Sequence, residues 1–303
     1  MRCTRREVLG LSGGALAWFP CRLASADGEA PVRLAISETV MGDVNLNDAR
    51  AAMQVWVKRL TANLNVTLDP KLFSSTQDIL DRVRKGQLDA IALNILEYRQ
   101  IASLLDASQI VNAAGDAAME QYLLLIRKSG GAKQIGDLKG RRLCRLNGPR
   151  MCVAPAWLST TLDEGHFGPP EQFFGSIVDD PKFARVVLPV FFGQADACVT
   201  SRRGFETMCE LNPQVGRDLV TLASSPPLTV SFYIFRKNYR NSEREKVIKA
   251  ISSLRRSPGG QELATLFQFE ELAVKDAECL TSALNLLDRA DRVRARQMGG
   301  GRK

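Results

Sequence analysis

Hydroxyl, amide and glycine residues collect where apolar strands are expected to give way to helices. They are Ser37-Glu38-Thr39, Ser74-Ser75-Thr76, Asn94, Asn147-Gly148, Gly175-Ser176, Asp196 to Thr200 and Ser224 to Pro227. Such groups offer neutral N–H and O–H donors, and with the positive end of a helix dipole they can hold an oxyanion without an ion pair. The segment Leu143 to Leu162 is the central case. It reads as a strand, an Asn147-Gly148-Pro149 turn, and a helix presenting Trp157, Leu158, Thr161 and Leu162. Arg150 in that turn either adds a charge-assisted contact or faces water. Catalysis is poorly provided for. The single histidine, His166, lies in a glycine-flanked loop, and no G-x-S-x-G, H-E-x-x-H, P-loop or dinucleotide glycine pattern occurs. The chain therefore reads as a non-enzyme, with no catalytic residue, no metal ligand set and no cofactor.

Those donors need a sheet to present them. Val32 to Ile36 reads as a strand, followed by a helix capped at Asn47 or Asp48 with Met53, Trp56, Val57 and Leu60 at i, i+3, i+4 and i+7. Asn65 to Asp69 is a second strand. Ser74-Ser75-Thr76 caps a helix with Ile79, Leu80 and Val83 inward and Gly86 at its end, and Leu88 to Leu93 is a buried strand. Strand–helix alternation of this kind argues a mainly parallel sheet, which holds ligands at the carboxyl ends of its strands. Gly86-Gln87-Leu88-Asp89-Ala90 recurs as Gly193-Gln194-Ala195-Asp196-Ala197, the second copy following a helix expected over Pro181 to Phe192. Two similar α/β lobes are the reading. Glu120 to Lys128 and Leu228 to Lys237 bracket the second lobe as hinge strands, with lobe 1 over residues 27–124 and 229–303 and lobe 2 over 125–228. A capping box at Ser242 to Glu245, a helix start at Ser257-Pro258 and a final helix over Asp276 to Arg292 are expected to return to lobe 1.

At 303 residues the chain is long enough for about two domains, and its formal charge is +8. The first 26 residues hold four arginines and one glutamate, leaving about +5 for the remainder. The basic residues are scattered without interleaved aromatics, which excludes a nucleic-acid groove; Arg289 to Lys303 reads as a solvated tail. Thr4-Arg5-Arg6-Glu7-Val8-Leu9, a short apolar run and Ala24-Ser25-Ala26 resemble a twin-arginine export signal over residues 1–26. The apolar run is too short to be a stable membrane anchor, so a periplasmic protein is expected. Downstream lie Cys144, Cys152, Cys198, Cys209 and Cys279, with Cys144/Cys152 and Cys198/Cys209 as candidate disulfides.

"DILDRVRKGQLDAIALNILEY", "IGDLKGRRL", "FGSIVDDPKFARVVLPVFFGQADACV" and "SSPPLTVSFYIFRK", in this order over about residues 32 to 270, resemble the phosphate/phosphite/phosphonate-binding proteins of ABC transporters. The resemblance implies a two-lobe periplasmic binding protein-like fold (type II), closing on a small oxyanion that is passed to an ABC permease. It implies donors from Ser74, Ser75 and Thr76 on one lobe and from Asn147 and Gly148 onward on the other, to which the strand-end reading adds Ser37, Thr39, Asn94 and Ser176 and, outside the family's pattern, Arg150. It further implies an aromatic contact from Tyr98 and an acidic one from Asp196. Where the family carries hydroxyls at the second helix start, this chain has Asn147-Gly148-Pro149-Arg150-Met151-Cys152. Two readings of the cysteines follow. A Cys144–Cys152 disulfide stiffens the turn, or free thiols including Cys152 and Cys198 bind a thiophilic species such as arsenite, the protein then serving a sensor histidine kinase. An exported accessory subunit of a redox enzyme, without small ligand, is the reading from another class.

Overall fold

A computed structural model describes residues 31–41, 45–64, 68–113, 119–239, 243–256, 260–266 and 271–300. The expected export signal, the Ser242 cap, Ser257-Pro258 and the side chains of Trp56, Val57, Leu60, Ile251 and Leu254 lie outside what is described.

The first half opens with β1 (Val32–Ser37), α1 (Leu46–Leu64), β2 (Leu68–Phe73), α2 (Thr76–Arg84), β3 (Ala90–Asn94), α3 (Ile95–Ile101) and β4 (Leu105–Ala113). The chain then crosses to β5 (Tyr122–Arg127), β6 (Arg142–Leu146), α4 (Ala154–Glu164), α5 (Pro170–Phe173), β7 (Ser176–Asp180), α6 (Phe183–Phe191), β8 (Ala197–Ser201), α7 (Arg202–Leu211), α8 (Pro213–Asp218) and β9 (Leu219–Ser224). It returns as β10 (Ser231–Arg236), α9 (Glu243–Ser252), α10 (Gly260–Leu266), β11 (Leu272–Lys275) and α11 (Thr281–Gly300).

The strands form two sheets, ordered β11-β4-β10-β3-β1-β2 and β7-β6-β8-β5-β9. The parallel pairing expected from the sequence is present in each, as β1 with β2 and β3, and as β6 with β7 and β8. Both sheets are nevertheless mixed. The strand that enters the second half, β5, inserts antiparallel between β8 and β9, and the strand that returns, β10, inserts antiparallel between β3 and β4. Tyr122 to Leu125 and Ser231 to Ile234 are thus interior sheet residues, and the described parts of the crossings fall just outside them, at 119–121 and 225–230. There the two connections pair through Glu120 and Leu228, each N–H donating to the other's carbonyl at 2.8 Å.

β2 runs through Pro70 to Phe73, farther than the sequence suggested, because an edge strand tolerates a missing N–H. Ser75, not Ser74, caps α2, accepting from the Asp78 N–H at 3.3 Å. The repeated Gly-Gln-x-Asp-Ala is a true structural repeat. Gly86 and Gly193 end their helices at φ 66° and 74°, a left-handed geometry that suits glycine. The Gln87 N–H reaches back to the Arg82 carbonyl (2.8 Å) and the Gln194 N–H to that of Pro189 (2.7 Å), the six-to-one bond of a Schellman turn.

The expected tail is helical as far as it is described, with residues 294–298 exposed. The final helix continues to Gly300, and one apolar face (Ala283, Leu286, Leu287), with Leu280 of the preceding turn, joins a core shared with Trp157, Leu158 and Leu162 of α4 and with Tyr98 and Ile101 of α3. Its polar flank pairs with both halves, Asp288 and Asp291 with Arg99 (3.0 and 2.8 Å), Arg289 with Glu164 (2.9 Å) and Arg296 with Asp163 (2.7 Å). These exposed ion pairs are worth little individually. The buried leucines, at about 1.5–3 kcal/mol each, hold α11 across the two halves.

Candidate ligand-binding cleft

The carboxyl ends of β1, β2 and β3 carry the expected first-half donors, and the carboxyl end of β6 carries the Asn147-Gly148 turn. The two sets meet: the 3-10 turn Glu38–Val40 packs on the 3-10 turn Pro149–Met151.

In the first half the hydroxyls converge on a residue absent from the sequence-level candidates. Glu97, 4% exposed, accepts from Ser37 Oγ (2.6 Å), Thr39 Oγ1 (2.8 Å), Thr76 Oγ1 (3.0 Å) and the Asn94 N–H (2.9 Å). Asn94 Oδ1 in turn accepts from the N–H groups of Leu96 and Glu97, both at 2.9 Å, so Asn94 and Glu97 form a capping box that opens α3. The Asn94-x-x-Glu97 spacing was the available signal. Among the described residues no lysine, arginine or histidine nitrogen pairs with Glu97.

In the second half Arg150 Nη1 donates to Glu120 Oε1 at 3.1 Å, and the Tyr122 hydroxyl donates to the Arg150 carbonyl at 2.9 Å. Burial pushes the Glu120 carboxyl up from its ordinary value, against the pull of Arg150 and Arg203. Cys152 sits between the halves. Burial, reinforced by Glu120 and Glu97, pushes its thiol up to about 12. Near the cleft ends of the sheets three buried polar atoms have no partner among the described residues: Thr200 Oγ1 on β8, Thr229 Oγ1 in the returning connection and Asn112 Nδ2 on β4.

Ser74, at the end of β2, and Asn147, in the turn after β6, are exposed, and Gly148 has extended backbone at φ 172°. Tyr98 is buried edge-on against Phe232, with ring centroids 5.4 Å apart, and belongs to the core. Ser176 begins β7 and Asp196 precedes β8, so both lie at the far end of the sheet from the turn after β6. Asp196 instead accepts the Arg142 backbone N–H at 2.9 Å, as Asp89 accepts that of Arg33 at 3.0 Å. The repeated aspartate pins neighbouring strands.

The Cys144–Cys152 disulfide is not formed, and Cys144, Cys152, Cys198, Cys209 and Cys279 are all free thiols. Strand alternation is the reason. Cys144 faces the α6 side of its sheet, in register with Cys198 on β8, whereas Cys152 packs with the core on the α4 side. Cys198 is fully buried with its pKa raised, first by burial and then by Cys144. Arsenite capture needs reduced, convergent thiolates, and this arrangement separates Cys152 from the other two. Among the described residues no group of His, Cys, Asp or Glu could hold a metal ion. Cys144 and Cys198 are expected to resist a thiol reagent in the native protein, and reductant should leave the melting temperature unchanged. A reductant-dependent shift would show a disulfide after all.

Two α/β halves joined by paired crossings, with donors at the carboxyl ends of facing sheets, define a two-lobe substrate-binding protein of the periplasmic type II class. Residues 40–278 match the family described as ABC transporter, phosphonate, periplasmic substrate-binding protein, and the chain belongs to that family. Solved structures share the fold at low identity. The binding-protein component of a phosphonate ABC transporter from Pseudomonas aeruginosa is 12% identical with a TM-score of 0.57, covering 88% of this chain and 89% of its own. PhnD1 from Prochlorococcus marinus, solved with methylphosphonate, is 13% identical with a TM-score of 0.58 (86% and 98% covered). XAC2383 from Xanthomonas citri, solved with ATP, is 12% identical with a TM-score of 0.62 (87% and 98% covered). No curated protein sequence matches the chain. The family is periplasmic and consists of transport binding proteins. Among the described residues no helix is long and apolar enough to cross a membrane.

Proposed function

We propose that this protein captures a small oxyanion of the phosphonate type between its lobes and presents it to an ABC permease. Export by the twin-arginine route, from Arg5-Arg6 and the Ala24-Ser25-Ala26 cleavage site, belongs to the same reading. Closure bends the chain where the two crossings pair, at 119–121 and 225–230, while each sheet moves as a body. The carrying observation is the set of orphaned donors at the cleft ends of the strands. Thr200 is 0% exposed and Thr229 1% exposed, and neither hydroxyl has a partner among the described residues. An unpaired buried hydroxyl costs about 1–3 kcal/mol, and a bound oxyanion would recover it.

The test is thermal unfolding of the mature protein against phosphite, methylphosphonate, substituted alkylphosphonates and alkylsulfonates. At least one should raise the melting temperature, by about 2.7 kcal/mol of added stability at a hundredfold excess over its Kd. Thr200→Val and Thr229→Val should stabilise the ligand-free protein by about 1 kcal/mol and shrink the ligand response. A flat response to the whole panel would sink the ligand class and leave the fold untouched.

A further inference from the structure

A hydroxyl has one proton to give. Those of Ser37, Thr39 and Thr76 all go to one carboxylate, that of Glu97, at 2.6, 2.8 and 3.0 Å. A fourth donor, the Asn94 N–H at 2.9 Å, completes the fan. Four donors around two oxygens are what a bound oxyanion would ask of this wall of the cleft. Here the anion is part of the chain. The hydroxyl oxygens keep only lone pairs to offer outward, and the carboxylate behind them carries a negative charge that no described basic side chain neutralises. Such a wall favours a donor and opposes a second anion.

Resting on the functional reading above, we propose that Glu97 is a built-in occupant of the first-lobe hydroxyl cradle. It excludes bare oxyanions such as phosphate from that wall and admits solutes that turn a hydrogen-bond donor toward it. The oxyanion group of such a solute is left to the opposite side, where Thr200, Thr229 and the Gly148–Cys152 turn lie. The turn Glu38–Val40, which carries Thr39 of this wall, packs on the turn Pro149–Met151, so the wall faces the second lobe.

Calorimetric titration of inorganic phosphate and methylphosphonate into the full mature protein, Glu97→Ala and Glu97→Gln tests this. The wild type should take neither. Glu97→Ala returns three hydroxyl protons to the cleft and should gain affinity for both, by about tenfold or more. Glu97→Gln keeps an acceptor for the Asn94 N–H and guards against misfolding through loss of the capping box; it should gain in the same direction. Melting curves establish that each variant is folded. Wild-type binding of phosphate as tight as the variants', or folded variants with no gain, would overturn the proposal. The two readings fail separately. Wild-type binding of bare oxyanions, unaltered in the variants, removes the role of Glu97 and keeps the trap. Gain in the variants with no wild-type response to any substituted phosphonate or sulfonate keeps Glu97 and removes the ligand class.

Discussion

Trp157→Ala is expected to lower the free energy of unfolding by about 3–5 kcal/mol, read from urea titration of the mature protein. Trp157 is 4% exposed and lies in the first turn of α4, directly after the cleft turn Pro149–Met151. Its ring lies 6.2 Å from that of Tyr122, whose hydroxyl donates to the Arg150 carbonyl. The same core holds Leu286 and Leu287 of α11, so a vacancy at Trp157 is felt by the helix that spans both halves. The loss should therefore come with faster amide exchange in α11 and in residues 149–152. A loss below about 1 kcal/mol would mean that the core closes around the vacancy, and that α4 is not keyed into the shared interior.

Much of this arrangement is legible in the sequence because short-range patterns decide it. Helical spacing marks Ile79, Leu80 and Val83, all buried, and the hydroxyls of Ser37, Thr39 and Thr76 are found where strands end. What those hydroxyls do is decided by Glu97, three residues into the next element. A glutamate there reads as half of a capping box and gives no hint that hydroxyls from two other loops will reach it. Asp196 and Ser176 went astray for a different reason. Composition shows that a residue borders a strand but not which end of the sheet it borders, and Gly-Gln-x-Asp-Ala precedes its strand in both copies. β4 was not expected at all. Asp106, Ser108 and Gln109 break its apolar alternation, and its pairing with β10 shifts register at Ile234/Phe235. The crossings place β5 and β10 antiparallel in otherwise parallel neighbourhoods, which no local pattern records.

Asp89→Asn should cost about 2–4 kcal/mol, several times the cost of Asp196→Asn, although the two aspartates occupy the same place in the repeat. Asp89 is 5% exposed at its side chain and accepts from the Arg33 backbone N–H (3.0 Å), Nε (2.7 Å) and Nη2 (2.6 Å), with Arg236 3.7 Å away. Asparagine turns one acceptor into a donor that faces the guanidinium. Asp196 has a 37% exposed side chain, one backbone donor and a loose partner in Arg141 at 3.6 Å, so about 1 kcal/mol or less is at stake there. Burial opposes ionisation of Asp89, but the hydrogen bonds and charges of Arg33 and Arg236 prevail and hold its carboxyl below the ordinary range. A carboxyl whose folded pKa is depressed contributes stability that is complete above its unfolded pKa and is lost as pH falls through the folded one. The gap between wild type and Asp89→Asn should therefore be constant near neutrality and narrow as the pH drops below about 4, near the unfolded value for aspartate. Urea titrations at pH 7 and pH 3 test it. A gap that stays the same at both would show that the substitution costs packing rather than charge. A gap no larger than that of Asp196→Asn would show that the guanidinium fork adds nothing to the strand pairing that both repeats share.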